Sequence, residues 1–283
     1  MLIVKKHYSV ITGSGKETNI FLPGTGWAGD FGRPIAESFN ERFSTHMIDL
    51  PGIGRSEGLE GIVTLEDAAN WLHAYINDNS IRKVNIIGHS LGGIIGMAYA
   101  QYYPEKVNSI VLLDIGFAKI DRFPVSMMGP SAYLLPIISV LHKWFGQKVL
   151  GTDTTNDDKI KPEATEEKIV SALHSYGLED SPFMRTAIRN QQSTSLEGIS
   201  LLLAAYRSNL PLIVKNLKMP CLLLYGNRNG KHPKYQKRIH RKTEKLKSEN
   251  VLVRELNGEH YAHVSDDRAI EYITGFIGGS ASF

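Results

Sequence analysis

The chain has 283 residues, of which 42% are hydrophobic and 22% are charged, and these proportions are ordinary for a soluble globular enzyme. The net charge of +3 is too small to indicate a nucleic acid or an anionic membrane as a partner. No apolar run approaches the roughly 18 residues of a membrane-spanning helix, so no membrane span is predicted. The N-terminus lacks a secretory signal pattern, and the single cysteine, Cys221, excludes an intramolecular disulfide. Both features predict a cytoplasmic location.

Short apolar runs alternate with amphipathic segments along the chain. The runs predict strands at Asn19–Leu22, His46–Ile48, Val84–Ile87, Ser109–Leu113, Cys221–Tyr225 and Val251–Leu256. Between them, helical periodicity predicts crossover helices, for example one that begins after Thr64 and a last one from about Asp267 to Ile277. This alternation predicts an α/β fold with a mostly parallel central sheet and helices on both faces.

The segment Gly88–Gly92, with the sequence G-H-S-L-G, lies between a predicted strand and a predicted helix. Val84–Ile87 precedes it, and the helical pattern of Ile94–Tyr103 follows and stops at Pro104. A serine in a G-x-S-x-G turn of this kind has a strained backbone and a hydroxyl exposed above the sheet edge. Glycines flank it because side chains there would collide with the neighbouring strand and helix. We therefore predict that Ser90 is a nucleophile.

The alternation of strands and helices is interrupted between about Phe117 and Leu210. This stretch is helical in pattern and contains no convincing strand. Because about 90 residues far exceed an ordinary loop, we predict a folded helical cap (lid) at residues 117–210, inserted into a core of residues 1–116 and 211–283. Large apolar residues are concentrated early in the insertion, and they are Phe123, Met127, Met128, Tyr133, Leu134, Leu135, Trp144 and Phe145. The methionine and aromatic residues of the cap are expected either to line an acyl pocket or to pack within the cap.

Four local patterns follow one another in an order typical of one family. They are Phe21–Gly26 (FLPGTG), Asp49–Ser56 (DLPGIGRS), the turn around Ser90, and Asn257–His263 (NGEHYAH). With these patterns the chain resembles the α/β-hydrolase superfamily over essentially its whole length, in the branch of capped serine esterases, lipases and carbon–carbon bond hydrolases. The resemblance implies the fold and the reaction type more specifically than the substrate, because this fold hosts many reactions.

The resemblance also implies acyl transfer by a serine. Ser90 would attack a carbonyl carbon, with His260 as general base and then as general acid. The oxyanion hole would be formed by the backbone N–H groups of Leu91 and Thr25. Many members of the family have a histidine where this chain has Pro23, but main-chain donors do not depend on that side chain.

The third member of the triad departs from the family pattern. Asn229 occupies the usual aspartate position after the strand Cys221–Tyr225, and an amide cannot balance the charge of an imidazolium. Asp114 follows the strand Ser109–Leu113 at the carboxyl edge of the sheet, where the sites of open α/β sheets form. We expect Asp114 to supply the acid, and Asn229 remains the alternative as a neutral partner of His260.

The predicted function is hydrolysis, without a cofactor, of a small-to-medium, largely apolar ester, thioester or related acyl compound. His263 stands at H-x-x-H spacing from His260, but the pattern offers no third ligand, so we predict no metal site. The lysine-rich segment 231–247 is interpreted as a solvated helix rather than as a nucleic-acid surface. Two alternatives remain: a carbon–carbon bond hydrolase with the same serine and histidine, and a non-hydrolytic ligand-binding homologue with a degraded triad.

Overall fold

One sheet of seven strands runs through the described part of the chain. The structure is a computed structural model that describes residues 6–39, 41–122, 129–151, 165–228 and 233–279. Its strands are β1 (Ser9–Thr12), β2 (Glu17–Leu22), β3 (Phe43–Ile48), β4 (Val84–His89), β5 (Val107–Leu113), β6 (Cys221–Gly226) and β7 (Val251–Leu256). Their order across the sheet is β1-β3-β2-β4-β5-β6-β7, and all neighbours are parallel except β1 and β3. The predicted fold class is confirmed.

Helices cover both faces of this sheet. They are α1 (Arg33–Glu37), α2 (Leu65–Asp78), α3 (Leu91–Tyr102), α4 (Leu135–Phe145), α5 (Glu166–Tyr176), α6 (Pro182–Arg189), α7 (Leu196–Tyr206), α8 (Leu210–Lys215), α9 (Pro233–Glu244), α10 (Ala262–Ser265) and α11 (Arg268–Gly278). The N-terminus of α2 is the predicted one, because Thr64 and Asp67 cap it reciprocally through their side chains and backbone N–H groups. Among the described residues, no helix has the length and apolar character needed to cross a membrane.

Alternate residues of the central strands enter two separate hydrophobic clusters. In β6, Cys221 and Leu223 join the cluster that contains α2 and α3, whereas Leu222 and Leu224 join the cluster that contains α1 and α11. A sheet covered on both faces needs apolar residues at consecutive positions, which is why continuous apolar runs predicted its strands. Burial raises the pKa of the Cys221 thiol to about 12, so the thiol stays protonated near pH 7. Cys221 therefore behaves as a small, buried apolar side chain.

A row of hydrogen-bonded polar side chains crosses the sheet, and on β3 it lies beyond the predicted run. Asn85 on β4 donates to Asn19 Oδ1 on β2 (3.0 Å), and Ser109 on β5 donates to Asn85 Oδ1 (2.9 Å). Asn19 donates in turn to Thr45 Oγ1 on β3 (3.3 Å). Because these buried groups satisfy one another, β3 continues through polar positions that the apolar pattern did not include. The short edge strand β1 has no apolar run, and the sequence did not predict it.

Between β5 and β6 the described residues form helices and add no strand to the sheet. Helices α4 to α8 all lie in this stretch, and β5 and β6 are direct parallel neighbours. The helical stretch is therefore inserted between adjacent strands, while its division from the core at residues 117 and 210 stays a prediction. Of the large apolar residues singled out there, Phe123, Met127 and Met128 lie outside the described residues. Leu135 is buried, but the other four are exposed, so the expectation of a pocket or internal packing is wrong for the aromatic residues Tyr133, Trp144 and Phe145.

Candidate active site

The turn between β4 and α3 holds Ser90 in a conformation that few non-glycine residues adopt. Its φ is 50° and its ψ is −117°. The turn is so tight that a Cβ atom on Gly92 would lie 2.2 Å from the carbonyl oxygen of Leu22. A Cβ atom on Gly88 would lie 2.5 Å from the Cα atom of Gly93. Ser90 therefore lies on a sharp strand-to-helix turn at the carboxyl end of β4.

The imidazole of His260 meets the carboxylate of Asp114. His260 lies in the loop between β7 and α10, and its Nδ1 is 2.6 Å from Asp114 Oδ2. Asp114 directly follows β5 with a φ of 53°, and its backbone N–H donates to the carbonyl oxygen of Leu224 (2.7 Å). Its second carboxylate oxygen accepts a hydrogen bond from the backbone N–H of Gly226 (3.1 Å). The fixed carboxylate makes Nδ1 the protonated nitrogen of a neutral His260 and leaves Nε2 as the basic one.

Two further histidines lie beside His260 and are buried. The ring centroid of His89 is 4.7 Å from that of His260 and 4.4 Å from that of His263. Burial lowers the pKa of His89 well below its usual value, and burial together with the nearby His260 lowers the pKa of His263 to about 3. Both rings are therefore neutral near pH 7. In the described ranges, no group of three His, Cys, Asp or Glu residues is arranged to hold a metal ion.

His89 also fixes the backbone of His260. Its Nε2 lies 3.0 Å from the carbonyl oxygen of His260, and because a carbonyl only accepts, this nitrogen carries the proton. The contact connects the strand that precedes Ser90 with the loop that contains the imidazole. The sequence did not predict this role. The available signal was a polar residue at the first variable position of the G-x-S-x-G motif, at the end of a strand buried on both faces.

The loop that follows β2 lies directly against the Ser90 turn. A Cβ atom on Gly24 would be 2.7 Å from Nδ1 of His89 and 3.3 Å from the Cβ atom of Ser90. The loop and the turn are joined by a hydrogen bond from the backbone N–H of Gly92 to the carbonyl oxygen of Pro23 (3.0 Å). The replacement of the common histidine by Pro23 thus leaves a loop that is attached through its main chain.

Thr25 and Leu91, the predicted oxyanion donors, belong to these two adjoining segments. Leu91 is the first residue of α3, where backbone N–H groups have no acceptor within the helix. Thr25 lies in a turn closed by a hydrogen bond from the N–H of Trp27 to the carbonyl oxygen of Gly24 (3.2 Å). Within the part of the chain that the structure describes, neither N–H donates to a protein acceptor. The N-terminus of α3 also favours negative charge at this position.

Asn229, the alternative partner of His260, lies outside the described residues. Its neighbour Arg228 forms an ion pair with Glu259 (3.4 Å), so the carboxylate that precedes His260 in the sequence faces Arg228. The carboxylate of Asp114, at the end of β5, contacts the His260 imidazole whichever residue occupies position 229.

The chain matches known proteins at the level of sequence. Residues 20–267 match a family model described as the alpha/beta hydrolase fold. The chain is 32% identical over 126 residues to a 2-hydroxy-6-oxononadienedioate/2-hydroxy-6-oxononatrienedioate hydrolase of Paraburkholderia phymatum. That similarity covers 42% of this chain and 43% of the relative, so the chain spans less than half the length of this curated protein.

Solved structures share the architecture over nearly the whole chain. An E-2-(acetamidomethylene)succinate hydrolase has a TM-score of 0.69 at 19% identity, covering 97% of this chain and 96% of its own. An enol-lactonase from Burkholderia xenovorans has a TM-score of 0.64 at 16% identity, covering 97% of both chains. A thermophilic esterase from Thermogutta terrifontis has a TM-score of 0.64 at 18% identity, covering 98% of this chain and 95% of its own. At these identities the likeness concerns the fold alone.

Proposed function

This chain belongs to the α/β-hydrolase fold family, and we propose that it is a serine hydrolase of small-to-medium, largely apolar esters, thioesters or related acyl compounds. The proposal depends mainly on the 2.6 Å contact between His260 Nδ1 and Asp114 Oδ2, near a serine on a strained turn. A carboxylate at Nδ1 fixes the imidazole tautomer that a general base needs. It also stabilises the imidazolium that forms when the base accepts a proton.

In the proposed reaction, Ser90 Oγ attacks the carbonyl carbon while its proton passes to Nε2 of His260. The backbone N–H groups of Leu91 and Thr25 hold the negative charge on the former carbonyl oxygen, and losing one such donor typically costs about 10²- to 10³-fold in kcat. The leaving alcohol or thiol takes the proton from His260, and an acyl-enzyme remains. Water then attacks the acyl carbon while His260 takes its proton, the bond to Ser90 breaks, and Ser90 Oγ recovers that proton.

We also propose that residues 117–210 form a cap over this site. The support is the path of the chain: β5 ends directly before Asp114, and the next described α-helix, α4, begins at Leu135. The chain therefore enters the insertion from the site itself. A cap in this position would enclose the acyl group and select substrates by shape.

A carbon–carbon bond hydrolase is the second candidate. It is favoured by the similarity to a hydrolase whose name gives a 2-hydroxy-6-oxo dienedioate as substrate. Such an enzyme would use the same Ser90 and His260, but its leaving group would be a carbon that needs a proton. The non-hydrolytic alternative assumed that Asn229 leaves His260 without an acid. It loses support because Asp114 lies within hydrogen-bond distance of His260.

Labelling with a fluorophosphonate probe, combined with p-nitrophenyl esters of graded chain length, tests the proposal. The wild-type protein is expected to be labelled and to hydrolyse short or medium esters, and Ser90→Ala is expected to do neither. Ser175→Ala is a matched control, because that hydroxyl is exposed and bonds to the carbonyl oxygen of Ala172 within its own helix (2.9 Å). Labelling with turnover of a 2-hydroxy-6-oxo dioate but not of esters would select the second candidate. An unlabelled wild-type protein would contradict both.

A further inference from the structure

Helix α4 turns polar residues toward the protein and apolar residues toward solvent. Its buried residues are Leu135, Ser139 and His142. Nε2 of His142 lies 2.9 Å from Ser200 Oγ on α7, and Arg207 donates to the carbonyl oxygen of Ser139 (3.4 Å). A surface helix normally turns its apolar stripe inward. The contacts of α4 instead leave most of its large apolar side chains on the outside of the molecule.

We call these exposed side chains the outer patch. They are Leu134, Ile137, Val140, Leu141, Trp144 and Phe145. Their exposed fractions range from 40% for Leu141 to 76% for Trp144. Positions 137, 141 and 144 recur at helical spacing and therefore lie on one face of α4. Exposed apolar residues are normally scattered singly, and a contiguous group of this kind marks a binding surface.

Two exposed lysines lie in the segment that carries the outer patch. Residues 129–151 include Lys143 and Lys148, both exposed, and no aspartate or glutamate. Burial and the nearby Arg207 lower the pKa of His142, so this ring adds no charge at neutral pH. The excess of two positive charges within residues 129–151 is compatible with the small net charge of the whole chain. A fitting partner combines an apolar interior with anionic groups at its surface.

We propose that the outer patch binds the surface of an anionic lipid layer, with the axis of α4 parallel to that surface. Exposed aromatic rings such as Trp144 suit the boundary between head groups and acyl chains, and Lys143 and Lys148 suit anionic head groups. A second copy of this chain suits the outer patch less well. A two-fold pair would bring patch to patch, with lysines on both sides and no carboxylate of residues 129–151 to balance them. The inference does not depend on the proposed hydrolysis.

Intrinsic tryptophan fluorescence reports on the outer patch directly. Of the three tryptophans, Trp27 and Trp71 are buried and Trp144 is exposed. Vesicles of equal parts phosphatidylglycerol and phosphatidylcholine should shift the Trp144 emission to shorter wavelengths, and lipids brominated on their acyl chains should quench it. Vesicles of phosphatidylcholine alone should bind about tenfold more weakly, because they offer the two lysines no anionic head groups.

Two double variants separate the apolar and the electrostatic contributions while Trp144 remains as reporter. Ile137→Ser with Leu141→Ser should weaken binding to both kinds of vesicle by about tenfold or more. Lys143→Glu with Lys148→Glu should remove the preference for phosphatidylglycerol. Leu212→Ser, at an exposed apolar position on α8, is the control and should bind as the wild type does. Thermal melts by circular dichroism should show that all variants fold.

Three results would overturn the inference. The first is no emission shift and no co-sedimentation with phosphatidylglycerol vesicles. The second is an emission shift that grows with protein concentration in the absence of lipid, which would identify a second copy as the partner. The third is a Trp144 that iodide does not quench without lipid, which would mean that the chain itself covers the patch. Ser90→Ala should bind vesicles normally while losing hydrolysis, so failure of this inference and failure of the proposed function are distinguishable.

Discussion

Two regions of the molecule carry unfavourable free energy, in different forms. At the carboxyl edge of the sheet, Ser90 and Asp114 have φ values of 50° and 53°, and hydrogen bonds to neighbouring strands hold this backbone strain. On α4 the backbone is regular, and the unfavourable feature is apolar area exposed to water. The strained residues are held in fixed positions by these hydrogen bonds, as the proposed catalytic groups must be, whereas exposed apolar area can be removed by a partner. The first region is suited to chemistry, and the second is suited to recognition.

The largest expected effect concerns the carboxylate at the strained edge. Asp114→Asn should lower kcat for a p-nitrophenyl ester by about 10⁴-fold, because an amide favours the wrong imidazole tautomer and does not balance the imidazolium. Asn229→Ala should change kcat by less than about threefold, because in the proposed mechanism Asp114 is the partner of His260. Steady-state kinetics on both variants checks this ranking. If Asn229→Ala lowered kcat more than Asp114→Asn did, Asn229 rather than Asp114 would be the partner of His260.

His89 should act as a positioning residue within the same region. His89→Ala removes the hydrogen bond to the carbonyl oxygen of His260 and should lower kcat by about 10²-fold with little change in KM. His89→Gln retains a terminal N–H donor and should recover most of the loss. If the alanine and glutamine variants were equally impaired while both remained folded, the ring would fill space rather than orient His260.

Burial of His263 predicts a pH-dependent stability. Its pKa is about 3 in the folded protein and about 6.5 when unfolded, so between these values the unfolded chain binds a proton that the native state lacks. The free energy of unfolding therefore falls as the pH decreases below about 6.5. His263→Phe should reduce the loss of stability between pH 7.5 and pH 5 by about 2 kcal/mol, measured by urea denaturation.

The matched control for this prediction is His174→Phe, because His174 is exposed on α5. It should leave the pH dependence of stability as it is in the wild-type protein. An unchanged pH dependence in His263→Phe would show that the His263 ring is not held neutral by the fold.

The smallest expected effect tests the strain itself. Ser90→Gly should be more stable than Ser90→Ala by about 1 kcal/mol, because glycine adopts a φ of 50° without a steric penalty. At Ser175, within α5, the order should be opposite, with the glycine variant about 1 kcal/mol less stable than the alanine variant. Thermal or urea unfolding of the four variants compares the two sites. If Ser90→Ala were as stable as Ser90→Gly, the backbone at position 90 would not be strained.

Six of the seven described strands and the Ser90 turn could be predicted because both depend on neighbouring residues. Buried parallel strands require apolar runs, and the G-x-S-x-G segment follows such a run directly. Asp114 could be placed at the correct edge because the ends of parallel strands meet there. Which residue contacts His260 could not be derived from sequence, since the loop after β7 decides it.

Other features could not be predicted, because they depend on how distant segments pack. The hydrogen bond between His89 and the His260 backbone joins two parts of the chain that no local pattern relates. In α4, helical periodicity correctly indicates an apolar face but does not say what that face contacts. The prediction that Trp144 and Phe145 pack within the cap or line a pocket was therefore wrong, although the helical pattern was right.

The position of a fluorophosphonate adduct tests the central claim most directly. Trypsin should release residues 84–106 as one peptide, in which Ser90 is the sole serine or threonine. Mass spectrometry should locate the adduct on this peptide, with labelling slowed about 10³-fold or more in Asp114→Asn and unchanged in Asn229→Ala. An adduct on another peptide, or equal labelling rates in wild type and Asp114→Asn, would contradict a Ser90 activated by His260 and Asp114.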